Sequence, residues 1–182
     1  EDTLPQTLFT NVHVFDGTNE ARIENANVLV SGNLIETVST DAIDAPGATV
    51  VDGGGRTVMP GVMEMHAHLM LRGPSRSAME TNTTWEDFAI HGTRMAEMYL
   101  MQGFTTVRDA GGANGGLRRA IDAGQIRGPR YYPSGAFIGT RGGHAAFANF
   151  TAPPGASTNF SRLNMAVVAD SVADVQKFGR NN

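Results

Sequence analysis

Beyond residue 58 the chain alternates between short β-prone runs and helix-like segments, and that alternation admits few architectures. A strand-like stretch at 58–68 is followed by a helix opening at Thr83, a strand at 104–107, a short helix marked by Leu117 and Ile121, a strand at 131–138, and a last helix starting near Asp170 or Ser171. Strands and helices in this order build parallel βαβ units with right-handed crossovers. About three such units can be counted, whereas a closed (β/α)8 TIM barrel takes eight and ~250 residues. Parallel sheets are covered on both faces and their edges cannot stay bare in water. A three-unit open sheet is one arrangement; if the sheet belongs to an α/β barrel, residues 59–182 are its first, incomplete part.

Local signals support the helices. Thr83 and Glu86 have the spacing of a reciprocal capping box. Phe88, Met95, Met98 and Tyr99 then share one face, where His91 reads as packing, and Gly103 supplies the stop. Val172, Val175 and Phe178 share a face of the last helix, and the Pro-Pro-Gly stretch at 152–158 reads as a loop. Pro133 cannot donate a ladder hydrogen bond, which predicts a bulge or a late start in the third strand.

The first 58 residues follow a different pattern. β-prone runs at 8–15, 26–30, 34–38 and 49–51 are broken by Asp16-Gly17, Ser31-Gly32-Asn33 and Asp52-Gly53-Gly54-Gly55. That predicts a small antiparallel meander, a β-rich, sandwich-like domain over 1–58 in which His13 is structural.

Composition narrows the chemistry. With 182 residues, 41% apolar and 18% charged, the chain can bury a core, and a net charge of -4 supplies no basic field for nucleic acid or an anionic membrane. No apolar run approaches the roughly 20 residues of a membrane helix. The absence of cysteine excludes a disulfide framework, a thiol nucleophile and a cysteine zinc site, leaving His, Asp, Glu and the only lysine, Lys177, as ligands. The chain starts at Glu1-Asp2-Thr3 without a methionine, so localisation stays open between export after removal of a signal segment and the cytoplasm.

The sharpest motif is His66-Ala67-His68, at the end of the strand-like segment that follows Pro60-Gly61. Residues two apart on a strand face the same side. Two imidazoles projected together from the carboxyl end of a strand can share one divalent ion, and that end is where parallel α/β folds place their active sites. Alone, a His-x-His pair is a weak signal, since a half-exposed pair usually does nothing.

In context, residues 59–68 (Met-Pro-Gly-Val-Met-Glu-Met-His-Ala-His) closely resemble the Pro-Gly-hydrophobic-hydrophobic-Asp-x-His-x-His signature that opens the barrel of the metal-dependent amidohydrolase superfamily. Gly103-Phe104-Thr105-Thr106-Val107-Arg108-Asp109-Ala110-Gly111-Gly112 is similar to the second-strand motif of its branch of dipeptidases, carboxypeptidase-like amidohydrolases, ochratoxin-hydrolysing enzymes and imidazolonepropionases. Gly128-Pro129-Arg130, Ser134-Gly135 and Gly142-Gly143-His144 resemble its third-strand segment, and Asp16-Gly17 with Val51-Asp52-Gly53-Gly54-Gly55-Arg56 resemble the small β domain before the barrel.

The resemblance implies one or two divalent ions, usually zinc, held by His66 and His68 together with a carbamylated lysine, two further histidines and an aspartate. It implies attack of a metal-activated hydroxide on an amide or peptide bond next to a free carboxylate, in a dipeptide or an N-acyl amino acid such as an ochratoxin-like compound. Hydrolysis of a cyclic amide is the alternative within the enzyme class, and a non-catalytic fragment or binding module the alternative outside it. The remaining ligands and the catalytic residues are expected beyond Asn182, in the remainder of the barrel on the same or a second chain, and the assembly is expected to be a homo-oligomer. Lys177 falls on a helix before the family's fourth strand and reads as a solvated charge.

Other residues carry two readings each. His144 faces the substrate or is an exposed loop histidine, and Arg141 holds a substrate carboxylate or is a surface arginine. Asp109 supports a metal ligand or is bonded to nearby loop amides. Glu64 in place of the usual Asp, and Ala145 after His144 in place of Gly, depart from the pattern.

Overall fold

The computed structural model describes residues 4–71, 83–141, 143 and 159–179. The chain divides into two compact units, Glu1–Pro60 and Gly61–Asn182.

The first unit is a single four-stranded sheet of β1 (Gln6–Val14), β2 (Ile23–Ser31), β3 (Leu34–Ser39) and β4 (Thr49–Val58), in the order β3-β2-β1-β4. Its core is Val12, Val14, Ala26 and Val28, with Phe9, Val30 and Val58 packed against them. Two expectations are corrected here. A sandwich requires two packed sheets, and the described residues supply one. Nor is it a pure meander: β1 pairs antiparallel with β2 and β2 with β3, but β1 pairs parallel with β4.

The three-glycine run explains part of this. Asp52-Gly53-Gly54-Gly55 does not end a strand; it lies within β4, opposite a register shift between Thr10 and Val12. Gly54 (φ 58°) and Gly55 (φ 75°) take left-handed conformations that accommodate the irregularity. A side chain at Gly53 would collide with Val12 Cγ1. Asp52 holds the bend by accepting from Gly54 N (2.8 Å) and Asn11 Nδ2 (3.0 Å).

The second unit is mixed α/β. Its elements are β5 (Val62–Ala67), α1 (Trp85–Met101), β6 (Phe104–Asp109), α2 (Gly115–Asp122), β7 (Arg130–Pro133), β8 (Phe137–Gly139), α3 (Asn159–Arg162), β9 (Ala166–Val168) and α4 (Val172–Gly179). β5, β6 and β7 form a parallel sheet in that order, and β8 pairs parallel with β9. Phe88, Ala96, Val107, Leu117, Tyr131, Phe160 and Met165 are among the residues that close the core.

Each helix has a local cause. α1 is capped by Thr84, one residue later than expected, and the box partner is Asp87 rather than Glu86. Phe88 is fully buried and Met95 and Tyr99 pack on the core, but Met98 is 41% exposed and leaves the predicted face. α1 closes at Gln102, with Gly103 (φ 91°) following. In α4 Ser171 Oγ accepts from Asp174 N, but its apolar positions Val172 and Val175 stay exposed.

The expected third strand at 131–138 is two. β7 stops at Pro133, which has no N–H to donate, and the backbone turns at Gly135 (φ 81°) before β8 pairs with β9 instead. The predicted loop at 152–158 lies outside the described residues.

Along β5, Val62, Met63, Met65 and His66 are all exposed. A parallel strand in a complete fold is covered on both faces.

Candidate metal centre

The candidate centre sits where β5 ends. From Glu64 to Ala67 the strand spends one residue more than its partner does from Val107 to Asp109, a bulge over Met65 and His66. Glu64 secures it, its Oε1 accepting from His66 N at 2.8 Å. The carboxylate that departs from the expected Asp thus has a local task, and the longer side chain reaches two residues onward to perform it.

The two imidazoles converge. Their ring centroids are 5.2 Å apart with the planes at 85°. A zinc–nitrogen bond is about 2.0–2.1 Å and the nitrogen lies about 1.1 Å from the ring centre, so two imidazoles on one tetrahedral ion have centroids roughly 5 Å apart. The spacing and donor chemistry fit an ion shared by His66 and His68. His66 is exposed and the His68 side chain is 31% exposed.

His68 is the better fixed. Its Nδ1 lies 3.2 Å from the carbonyl oxygen of Gly111. A carbonyl only accepts, so this contact places the proton on Nδ1 and the lone pair on Nε2, the atom left for a metal. Phe137 packs on the ring at 5.4 Å between centroids.

Behind His68 lies Asp109, fully buried. Its Oδ2 accepts from Leu69 N (2.8 Å) and Tyr131 Oη (2.7 Å), and its Oδ1 accepts from Gly111 N (3.0 Å). The reading in which Asp109 bonds loop amides therefore describes its contacts, while His68 Nδ1 stands 4.0 Å from Oδ1. Burial, then the negative charge of Asp109 and the hydrogen bond to it, pushes the Tyr131 phenol far above its ordinary value, so Tyr131 remains a donor.

The other sequence candidates fall elsewhere. Arg141 is exposed and its guanidinium grips Asp170, Nε at 3.1 Å and Nη2 at 2.8 Å from Oδ2, while its backbone N–H donates to Oδ1 at 2.9 Å. The backbone bond first, then the guanidinium, holds the Asp170 carboxyl below the usual aspartate value. His144 lies outside the described residues. Lys177 is exposed in the last turn of α4, its Nζ 5.7 Å from the Phe178 ring centre. His13 stays within the first unit, against Glu24 at 2.6 Å. His91 is half-buried on α1. Among the described residues no group of three or more His, Asp or Glu is placed to hold a metal.

Sequence reasoning did not single out Tyr131 or the Gly111 carbonyl. Tyr131 reads as an ordinary apolar strand position, and only the register that sets it opposite Val107, two residues before Asp109, reveals its partner.

A prolidase solved with N-methylphosphonate-L-proline is 31% identical, with a TM-score of 0.81, the match covering 97% of this chain and 43% of that one. In its motifs and in these relatives the chain is similar to proteins of the amidohydrolase superfamily. Within it, a Xaa-Pro dipeptidase with methionine bound in its active site is also similar, at 27% identity and a TM-score of 0.78 over 97% of this chain and 45% of that one. A dihydroorotase of Streptomyces coelicolor is 34% identical over 93 residues, 51% of this chain and 18% of its own length. The chain thus spans less than half the length of these relatives. No family model matches it.

Proposed function

We propose that this chain supplies the small β domain and the first three units of the (β/α)8 barrel of a metal-dependent hydrolase, which cleaves an amide or peptide bond next to a free carboxylate. The observation that carries the reading is the convergence of His66 and His68 at the carboxyl end of β5, with the proton of His68 committed to Gly111. The prolidase and the Xaa-Pro dipeptidase among the structural relatives favour a dipeptide or an N-acyl amino acid as substrate. Cleavage of a cyclic amide is the second reading, favoured by the dihydroorotase similarity.

His66 and His68 hold one side of a divalent ion, with zinc the usual choice for nitrogen and carboxylate donors. When bound, such an ion supplies Lewis acidity and an activated water near neutral pH. The chain's own residues do the positioning. Glu64 fixes the backbone of the bulge, Gly111 sets the tautomer of His68, and Phe137 packs on that ring. Arg141 reaches a substrate carboxylate by exchanging its bond to Asp170, and His144 is the second substrate-binding residue of this reading. The further ligands, including the carbamylated lysine and the aspartate, belong to the rest of the barrel, which also covers Val62, Met63 and Met65.

The test is replacement of both His66 and His68 by Ala in the full-length protein. Metal content by elemental analysis and turnover of a dipeptide, an N-acyl amino acid and a lactam are then measured in parallel. Loss of metal and of all turnover is expected; unchanged metal and activity would sink the proposal. The substrate panel separates the two readings.

A further inference from the structure

The geometry points to Tyr131 and Asp109 as a positioning pair that sets which nitrogen of His68 is free for a metal, an inference that rests on the metal-site reading above. Neither residue touches the space where an ion or a substrate would lie. They act through Gly111.

The chain of contacts is short. Asp109 is fully buried and Tyr131 is 1% exposed, so the carboxylate has no water to fall back on and depends on its protein donors. Those donors are Leu69 N, Gly111 N and the Tyr131 hydroxyl. Leu69 directly follows His68, and Gly111 carries the carbonyl that receives the His68 proton. One carboxylate therefore holds the residue after the imidazole and the residue that orients it. The negative charge 4.0 Å from Nδ1 adds an electrostatic preference for the proton on that nitrogen.

Tyr131 completes the arrangement. Its hydroxyl and Leu69 N share Oδ2, leaving Oδ1 to Gly111 N. Without the hydroxyl, Oδ2 loses its shortest donor and the carboxylate is held by the two backbone amides alone, which loosens the seat of Gly111. Space behind Gly111 is closed: a Cβ there would overlap the Phe137 ring, with Cζ at 2.9 Å, and Phe137 is the residue whose tilted ring packs on His68.

The purely architectural alternative is that the pair only ties β6 to β7. It predicts a change of stability with no change in His68. Discrimination comes from the His68 tautomer in the metal-free full-length protein, read by long-range nitrogen–proton NMR correlations of isotope-labelled histidine. The proton is expected on Nδ1. A wild-type His68 protonated on Nε2 overturns the inference whether or not any variant folds. In Tyr131→Phe, which keeps the buried ring, His68 is expected to become a mixture of tautomers, and the affinity for Zn2+ alone, measured calorimetrically, to fall roughly 10- to 100-fold. A folded Tyr131→Phe variant with wild-type tautomer and wild-type affinity refutes the positioning role. If the His66→Ala/His68→Ala protein loses its metal in the same assay, the metal-site reading survives that refutation; if it keeps its metal, the reading itself fails.

Discussion

Gly61 sits immediately before β5 with no room for a side chain. A Cβ built on it would overlap Thr105 Oγ1 and Cγ2, and would lie 2.6 Å from Thr105 Cβ, where ordinary contact begins at 3.4 Å. Gly61→Ala must therefore push β5 away from β6 where Val62 N donates to Gly103 O at 2.9 Å. Overpacking of this kind costs about 1–3 kcal/mol, and weakening that bond adds about 1 kcal/mol. The stiffer unfolded chain returns about 0.4–1 kcal/mol, so a net loss of about 1–3 kcal/mol is expected. Thr105→Ala removes two of the three overlapping atoms. The double variant should then lose less than the sum of the singles, with a coupling of about 1 kcal/mol or more. Urea unfolding of the full-length protein and its three variants measures this directly. A Gly61→Ala midpoint equal to wild type, or additivity within about 0.5 kcal/mol, would refute the steric reasoning.

Two further outcomes are expected. The folded-state pKa of Asp170 is lowered by the Arg141 amide and guanidinium, so its stabilising contribution is complete above its unfolded value near 4 and is lost as pH falls through the lower folded value; a carbon-13 titration of the Asp170 carboxyl should move up towards the ordinary value in Arg141→Ala, and an unmoved midpoint would dismiss the pairing. Residues 1–182 expressed alone should self-associate or unfold without a cooperative transition, because Val62, Met63 and Met65 are exposed on β5; a sharp, monomeric urea transition would count against the missing-barrel reading.

Much of the second unit was readable from local chemistry. The stop of α1 follows from Gly103, and the pairing of His66 with His68 follows from the two-residue period of a strand. What escaped depends on contacts distant in sequence. Nothing local reveals that β4 pairs parallel with β1, or that Gly53 to Gly55 bend a strand instead of ending it, because the reason is the Val12 side chain about 40 residues earlier. Pro133 marks neither the expected bulge nor a late start: β7 begins at Arg130 and stops at Pro133, and the Gly135 turn and the β8–β9 pairing that follow lie beyond what the local sequence shows. Within the site, the His pair was visible and the Tyr131–Asp109 bond was not, since it exists only once β6 and β7 are in register.

The buried Asp109 also has a kinetic consequence. Its donors come from the exits of β5 and β6 and from β7, across 40 residues in one direction and 22 in the other. With β5 and β6 paired but β7 undocked, the carboxylate lacks the Tyr131 donor and has only its two backbone amides. Docking of the three strands is therefore expected to be coupled, since the shared carboxylate has its full donor set only when all are in place. Opening any one of them in the native protein disturbs the seat of His68 at the same moment, so hydrogen exchange at Leu69 and Gly111 should report on a single shared opening.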